Sequence, residues 1–320
     1  MKRKIILSAV LFVLTIFAGS NLYAKNAIIL ASFGTTVPEA VKAITNIQER
    51  VEKDFPDTEV RLTFTSNIIR SVWKKRQTQA DQWIKKGIPE KVLYVKGIIA
   101  TFGDLQEAGY KNIVVQPTHV FHMEQYQDLK SYVDAMKSIK TIKSKWSPFD
   151  TIALGRPALG TIGSHYDYHE DLARAVKIFS KDTKLAKKKN AVLVYMGHGN
   201  EHWSTGIYAE LQKEMRKAYP GVMTFVGSVE GYPSLEDVAA GLNHLSLKNK
   251  RVLVKPLMIV AGDHATNDMA GSEEDSWKSV FEKNGFKVFP VLKGLGSDND
   301  FADIFVDHIR DAAKDAGINL

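Results

Sequence analysis

The 320-residue chain contains no cysteine. That removes disulfides, thiolate nucleophiles, thiolate zinc sites and iron–sulfur clusters together, since each needs the Cys sulfur. Any metal must then rest on histidine and carboxylate, and the fold on an ordinary apolar core, for which this length suffices. The familiar nucleotide signatures are also missing: there is no GxxxxGK[ST], no GxGxxG after a strand and no GxSxG elbow, so ATP-driven chemistry is not indicated. No dense Lys/Arg stripe occurs, which argues against a nucleic-acid partner. Lys184 to Lys189 reads as a short, solvated basic loop. No apolar run reaches the roughly 18 residues that a membrane-spanning helix needs.

What is present begins with a processing segment. Met1-Lys2-Arg3-Lys4, the apolar run Ile5 to Ala18 and Ser20-Asn21-Leu22-Tyr23-Ala24 read as a secretory signal over residues 1–24, cleaved near Ala24. The expected product is exported to the periplasm and does not span the membrane once processed; an uncleaved anchor is the rival reading. Cleavage removes three of the 43 basic residues and lowers the formal charge from +7 to +4. That mild excess still suits a cleft that attracts an acidic small molecule.

Short β-rich runs then alternate with longer amphipathic stretches, the pattern of an α/β fold with mainly parallel sheets. The expected strands are Ala27–Ser32, Glu59–Thr65, Asn112–Thr118, Thr151–Gly155, Ala191–Met196, Val222–Ser228, Arg251–Val260 and Lys287–Val291. Helices are expected over Val37–Asp54, Gln79–Glu107, Met123–Ser138, Tyr166–Lys181, Gly206–Tyr219, Leu235–Ser246, Glu273–Asn284 and Asp300–Ala316. The halves echo each other: AIILASFGTT opens the first and AVLVYMGHGN the second, and NIVVQPTH and VLVKPLMIVAGDH follow. We read two α/β lobes, residues 25–155 and 156–320, with a cleft between them; one large doubly wound sheet is the alternative. In open parallel sheets ligands sit at the carboxyl ends of the strands.

Several polar residues fall at those ends. His198 lies between Gly197 and Gly199, which free the backbone to turn and leave the imidazole unshielded; a histidine tucked into a turn is the plainer reading. His264 follows Asp263 and precedes Asn267 and Asp268, side chains able to orient a metal-bound ring or merely to cap a helix. Glu230 stands at a third strand end. Two imidazoles and one carboxylate with open positions suit a divalent site for cobalt, iron, nickel or zinc. In the first half, His119 ends a strand, and His122 and Met123 at a helix start could contact a further metal or a haem, although a surface His beside a packing Met explains them better. His165 and His169, four apart on an expected helix, are a weaker metal pair. The Gly34-Thr35-Thr36 turn could cradle an anion through its amides.

The segments Leu30–Thr35, Met196–Gly199 with His202, Glu230–Pro233, and above all Pro256–His264 through Asn267–Ala270 and Asp275–Lys278 resemble the anaerobic sirohydrochlorin cobaltochelatases over nearly the whole mature chain. The resemblance implies a class II, ATP-independent chelatase of two Rossmann-like lobes. Such an enzyme inserts Co2+, or Fe2+ or Ni2+, into sirohydrochlorin for cobalamin or other tetrapyrrole synthesis. It further implies that His198, His264 and Glu230 bind the metal and take part in catalysis, and that Ser32, Thr35, Ser66 and His119 line the macrocycle side. Where the family usually has a Glu, this chain has Gln125, which cannot take a proton. An exported tetrapyrrole or metal carrier without turnover is the alternative function. Haem has no support beyond His122 and Met123, and a homo-oligomer is left open.

Overall fold

The computed structural model describes residues 24–202 and 204–320; the signal segment expected over residues 1–24 lies, but for Ala24, outside them. Eight strands form two four-stranded sheets. These are β1 (Lys25–Ser32), β2 (Glu59–Phe64), β3 (Tyr110–Pro117) and β4 (Thr151–Leu154), then β5 (Val192–Gly199), β6 (Thr224–Glu230), β7 (Arg251–Leu257) and β8 (Lys287–Pro290). The first sheet runs β2-β1-β3-β4 and the second β6-β5-β7-β8, and every pairing is parallel. There are two such sheets, not one doubly wound sheet.

A parallel sheet covered on both faces needs strands apolar at every position. β1 shows this: Ile28 and Leu30 join one buried cluster, Ala27, Ile29 and Ala31 the cluster on the opposite face, as a period of two requires. The last helix, Asn299–Asp315, is shared between the sheets. Its Phe301, Ile304 and Phe305 pack with Phe179 and Tyr195 beside the second sheet, while Val306, Ile309, Ala312 and Ala313 pack with Ile28 and Leu30 of the first. Each fully buried aliphatic or Phe side chain contributes roughly 1.5–3 kcal/mol, so this helix is a main tie between the two cores.

A second tie is ionic. Arg156, just after β4, bonds Asp171 at 2.7 and 3.1 Å and Asp311 at 2.8 Å. His308 is completely buried and places Nε2 3.0 Å from Asp171 and Nδ1 3.0 Å from the Arg156 carbonyl.

Several helices differ from expectation. Lys184 to Lys189 is no loop: Ser180–Lys189 is a helix whose Thr183 and Ala186 are buried. Its lysines gather in the last turn, where they suit the helix dipole, and Asn190 ends it in the left-handed region at φ 50°. The stretch Gln79–Glu107 is broken into Ala80–Lys85, Glu90–Leu93 and Ile98–Glu107, because Gly87 and Pro89 interrupt it. A helix over Asn67–Arg76 precedes it, begun by Ser66, whose hydroxyl accepts from Ile69 N–H. The helix after His165 starts only at Tyr168, capped by Asp167. His165 and His169 therefore share no helix face: His165 pairs with Asp315, and His169 with Asp167 and Glu210.

Candidate metal and macrocycle site

β5 runs three residues further than the apolar pattern marks, to Gly199, which carries His198 to the strand end. Gly199 adopts φ +79°, and a Cβ there would stand 1.7 Å from the Glu230 carbonyl oxygen; only glycine lets the ends of β5 and β6 close this tightly. From below, the buried Tyr208 hydroxyl accepts from Gly199 N–H at 3.1 Å. β7 ends at Leu257 and hands over to a loop reaching His264, which caps a single π-helical turn, Ala265–Met269. Such turns are uncommon and recur at functional sites.

The result brings His198 and His264 together, ring centroids 4.8 Å apart and planes at 89°. His264 Nδ1 lies 2.5 Å from Asp268 Oδ2, and His198 Nδ1 lies 3.1 Å from the Gly199 carbonyl. Carbonyl and carboxylate oxygens only accept, so each Nδ1 carries the hydrogen, and the neutral form of each ring has its lone pair on Nε2. Glu230 Oε2 is 3.8 Å from His198 Nδ1, close enough to join the pair but outside bonding range. Among the described residues no three His, Asp or Glu side chains form a ready metal cage. Two imidazole lone pairs, a carboxylate beside them and open positions fit an ion that is held and then passed on.

The first lobe meets this site edge to edge. Trp73 Nε1 donates to the Thr35 carbonyl at 2.8 Å, and Arg76 to that of Thr36 at 2.7 Å, its guanidinium 4.4 Å from the centroids of both Trp73 and Trp83. The turn is thus held from behind. Thr35 Oγ1 accepts from Val37 N–H at 3.1 Å and abuts Gly262, whose Cβ would lie 3.3 Å from it. Asn200 Nδ2 donates to Glu124 Oε2 at 3.3 Å, joining the helix Glu124–Ser138 to the loop after His198. Gln125 Oε1 accepts from the Thr65 hydroxyl at 3.2 Å. Ser32 is buried at the end of β1 and Ser66 caps its helix.

Taking Pro117 and Pro256 as equivalent positions relates the two lobes residue by residue. Ala31 pairs with Pro117 and Thr63; Met196 pairs with Pro256 and Gly227. Counting outward, Phe33 corresponds to His198, Gly34 to Gly199 and Ser66 to Glu230. Both glycines have positive φ, +99° and +79°. The first lobe therefore offers an aromatic ring and a hydroxyl where the second offers an imidazole and a carboxylate.

His119, just past β3, is 8% exposed, and among the described residues neither ring nitrogen has a hydrogen-bond partner. Burial lowers its pKa to about 4, so the ring is neutral. His122 stands against Thr161 and the Tyr126 ring, and Met123 packs on the apolar cluster of Phe121 and Leu159. A cavity of about 440 Å³ adjoins them, lined among others by Phe121, His122, Ile162, Tyr168 and Glu210. The roles of Asn200, Phe33, Trp73 and Arg76 escape the sequence reading; the GHGN turn and the two-tryptophan frame around Arg76 were the available signals.

Comparison with known proteins gives a consistent picture. The family described as cobalt chelatase (CbiK) matches residues 26–314. Sirohydrochlorin cobaltochelatase CbiKC of Nitratidesulfovibrio vulgaris is 29% identical over 290 residues, covering 91% of each chain. Sirohydrochlorin cobaltochelatase of Salmonella typhimurium is 29% identical over 290 residues, covering 90% of this chain and 96% of that protein. Two solved structures share the fold. SirB from Bacillus subtilis with Fe3+ aligns with a TM-score of 0.58 at 14% identity, covering 92% of this chain and 98% of that one. The sirohydrochlorin chelatase SirB from Bacillus subtilis subspecies spizizenii in complex with cobalt aligns with a TM-score of 0.54 at 13% identity, covering 92% and 97%.

Proposed function

The chain belongs to the cobalt chelatase (CbiK) family, and from that membership we propose that it inserts Co2+ into sirohydrochlorin, with His198 and His264 delivering the ion and Glu230 joining them. One observation carries the assignment of residues: the two rings stand 4.8 Å apart, each with Nδ1 engaged by an acceptor and Nε2 left for an ion. The metal is a substrate here. Neutral imidazole holds it loosely enough to release it to four pyrrole nitrogens.

Insertion displaces two pyrrole N–H protons and exchanges the ion's ligands, which needs positioned acceptors and a shaped cleft but no ATP. On this reading the macrocycle lies between the lobes, with the ring of Phe33 and the turn of Ser32, Thr35 and Ser66 on one side and the histidine pair on the other. The mild positive charge of the chain favours an acidic macrocycle. His/carboxylate ligation also accepts Fe2+ and Ni2+, so the metal preference belongs to the experiment. We further propose export to the periplasm with cleavage near Ala24, supported by the Met1–Ala24 pattern; N-terminal sequencing of the fractionated protein should begin near Lys25.

The test of function is metallation of sirohydrochlorin by purified protein with Co2+, Fe2+ and Ni2+ in turn, followed by absorbance. His198→Ala and His264→Ala should each reduce the rate to the uncatalysed background. Unchanged rates in both variants would sink the residue assignment, and stoichiometric macrocycle binding without turnover would move the reading to a carrier.

A further inference from the structure

Single exposed apolar side chains are ordinary on a protein surface, whereas several gathered in one place mark an interaction site. Ile139, Ile142 and Trp146 are 43%, 106% and 67% exposed and belong to one loop. Around and between them Lys137, Lys140, Lys143 and Lys145 are exposed as well, and none of the four pairs with a carboxylate among the described residues. No acidic residue interrupts the chain between Asp134, which pairs with Lys130, and Asp150. Lys145 Nζ stands 5.0 Å from the centroid of the Trp146 ring.

The loop is an elaboration of the first lobe on a fixed base. It fills residues 139–150 between the helix Glu124–Ser138 and β4, whereas the corresponding connection of the second lobe, between the helix Trp277–Lys283 and β8, takes only residues 284–286. Lys111 Nζ donates to the Ser147 carbonyl at 2.6 Å, and the buried Phe149 ring packs 5.4 Å from that of Phe102. Asn112 pairs with both Asn26 and Thr151, so the loop enters β4 at the amino ends of the strands, the edge opposite the histidine pair. The helix Glu124–Ser138 starts beside that site, where Glu124 meets Asn200, and its 15 residues carry the chain roughly 22 Å away at about 1.5 Å per residue. β1 begins at this far edge with Lys25, so a leader engaged with a bilayer, as signal or as anchor, joins the protein here.

Aliphatic side chains and a tryptophan interleaved with lysines suit the surface of a bilayer. The apolar groups enter the acyl boundary, the indole sits at headgroup level, and the ammonium groups meet anionic lipid. A nucleic acid would engage the lysines but leave Ile139 and Ile142 in water, and a second copy of this chain would bring like charges together. We infer that residues 137–146 form a peripheral docking surface for an anionic lipid bilayer, holding the protein at a membrane by the edge away from the histidine pair. No helix of the described residues is long and apolar enough to cross a membrane. This docking is independent of metallation.

The processed chain from Lys25, which holds every strand and helix of both lobes, is sedimented with vesicles of phosphatidylcholine alone and of phosphatidylcholine mixed with phosphatidylglycerol. It should sediment with the anionic vesicles only, and less as salt rises. Lys140→Gln with Lys143→Gln should weaken binding by about tenfold or more, since each lysine near an anionic surface is worth about fivefold. Ile142→Ser with Trp146→Ser should also weaken it, while Ile142→Leu with Trp146→Phe keeps the apolar surface and should bind within about twofold of wild type. All three double variants should keep the wild-type Tm, because the positions are exposed. Equal binding to both kinds of vesicle, binding to neither, or wild-type affinity in the glutamine or the serine variant overturns the inference. So does tighter binding to double-stranded DNA than to the anionic vesicles, or a dimer in sedimentation velocity that the serine substitutions abolish.

Discussion

Phe33 stands two residues beyond the Ala31–Pro117 pair as His198 stands two beyond the Met196–Pro256 pair, and each is followed by a glycine of positive φ. One scaffold is thus used twice with different side chains: an aromatic ring in one lobe, an imidazole in the other. Phe33 is 41% exposed, a large apolar side chain left open at the edge where the lobes meet.

Replacing Phe33 by Ala should therefore weaken macrocycle binding without harming the fold. Substitutions at exposed positions usually change stability by within about 0.5 kcal/mol, so the Tm should hold while KM for sirohydrochlorin rises. Steady-state metallation together with thermal melting checks this; an unchanged KM excludes Phe33 as a macrocycle contact.

Asp268 fixes the His264 ring from behind, and the partner that orients a metal-binding histidine typically accounts for 10–100-fold in affinity. Asp268→Asn should weaken Co2+ binding by roughly that factor and His264→Ala by more, as read by calorimetric titration. Equal affinity in wild type and Asp268→Asn would show that this contact does not tune the ring.

At Gly199 the constraint is in the backbone. A methyl group would collide with the Glu230 carbonyl, and the backbone conformation is one that L side chains rarely adopt. Gly199→Ala should cost about 1–3 kcal/mol of stability and push His198 away from Glu230. Both urea unfolding and Co2+ titration should register it, the second more than any stability loss alone explains.

Asp171 makes a prediction with a pH sign. Burial alone would raise its pKa, but bonds from His308 and Arg156 outweigh that and hold the carboxyl below its ordinary range. A group whose folded pKa is depressed contributes stability that is present above the unfolded value, near 3.8, and lost as pH falls through the folded value. Asp171→Asn should thus lower unfolding free energy by about 3–5 kcal/mol at pH 7, the usual effect of removing one partner of a buried ion pair. The gap between variant and wild type should narrow below about pH 4. Urea denaturation at pH 7 and pH 3 measures both.

How much of this was written in the sequence depends on the range of the interaction. Each of the eight strands overlaps an apolar run, because burial on both faces of a parallel sheet leaves few other patterns. The His264 and Asp268 contact was legible too, since a four-residue separation brings side chains together on a helical turn. Ser180–Lys189 was not: its lysines look solvated, and its buried positions are Asp182, Thr183 and Ala186, of which only Ala186 is apolar. The Phe33 and His198 equivalence needs two strand registers, which no local window contains. His119 reads as one strand-end histidine among several until its burial is known.

The placement of the final helix reaches beyond the finished molecule. Val306, Ile309, Ala312 and Ala313 cover a face of the first sheet, although that sheet's strands are all complete by residue 154. During synthesis the first half therefore emerges with that face covered only in part, by its own Val41, Ile44 and Val51, and waits for nearly the whole remaining chain before it can close. A nascent or truncated chain ending before Asn299 leaves those contacts unmade and should be more open to proteolysis than the full chain, whatever the state of the residues at the site.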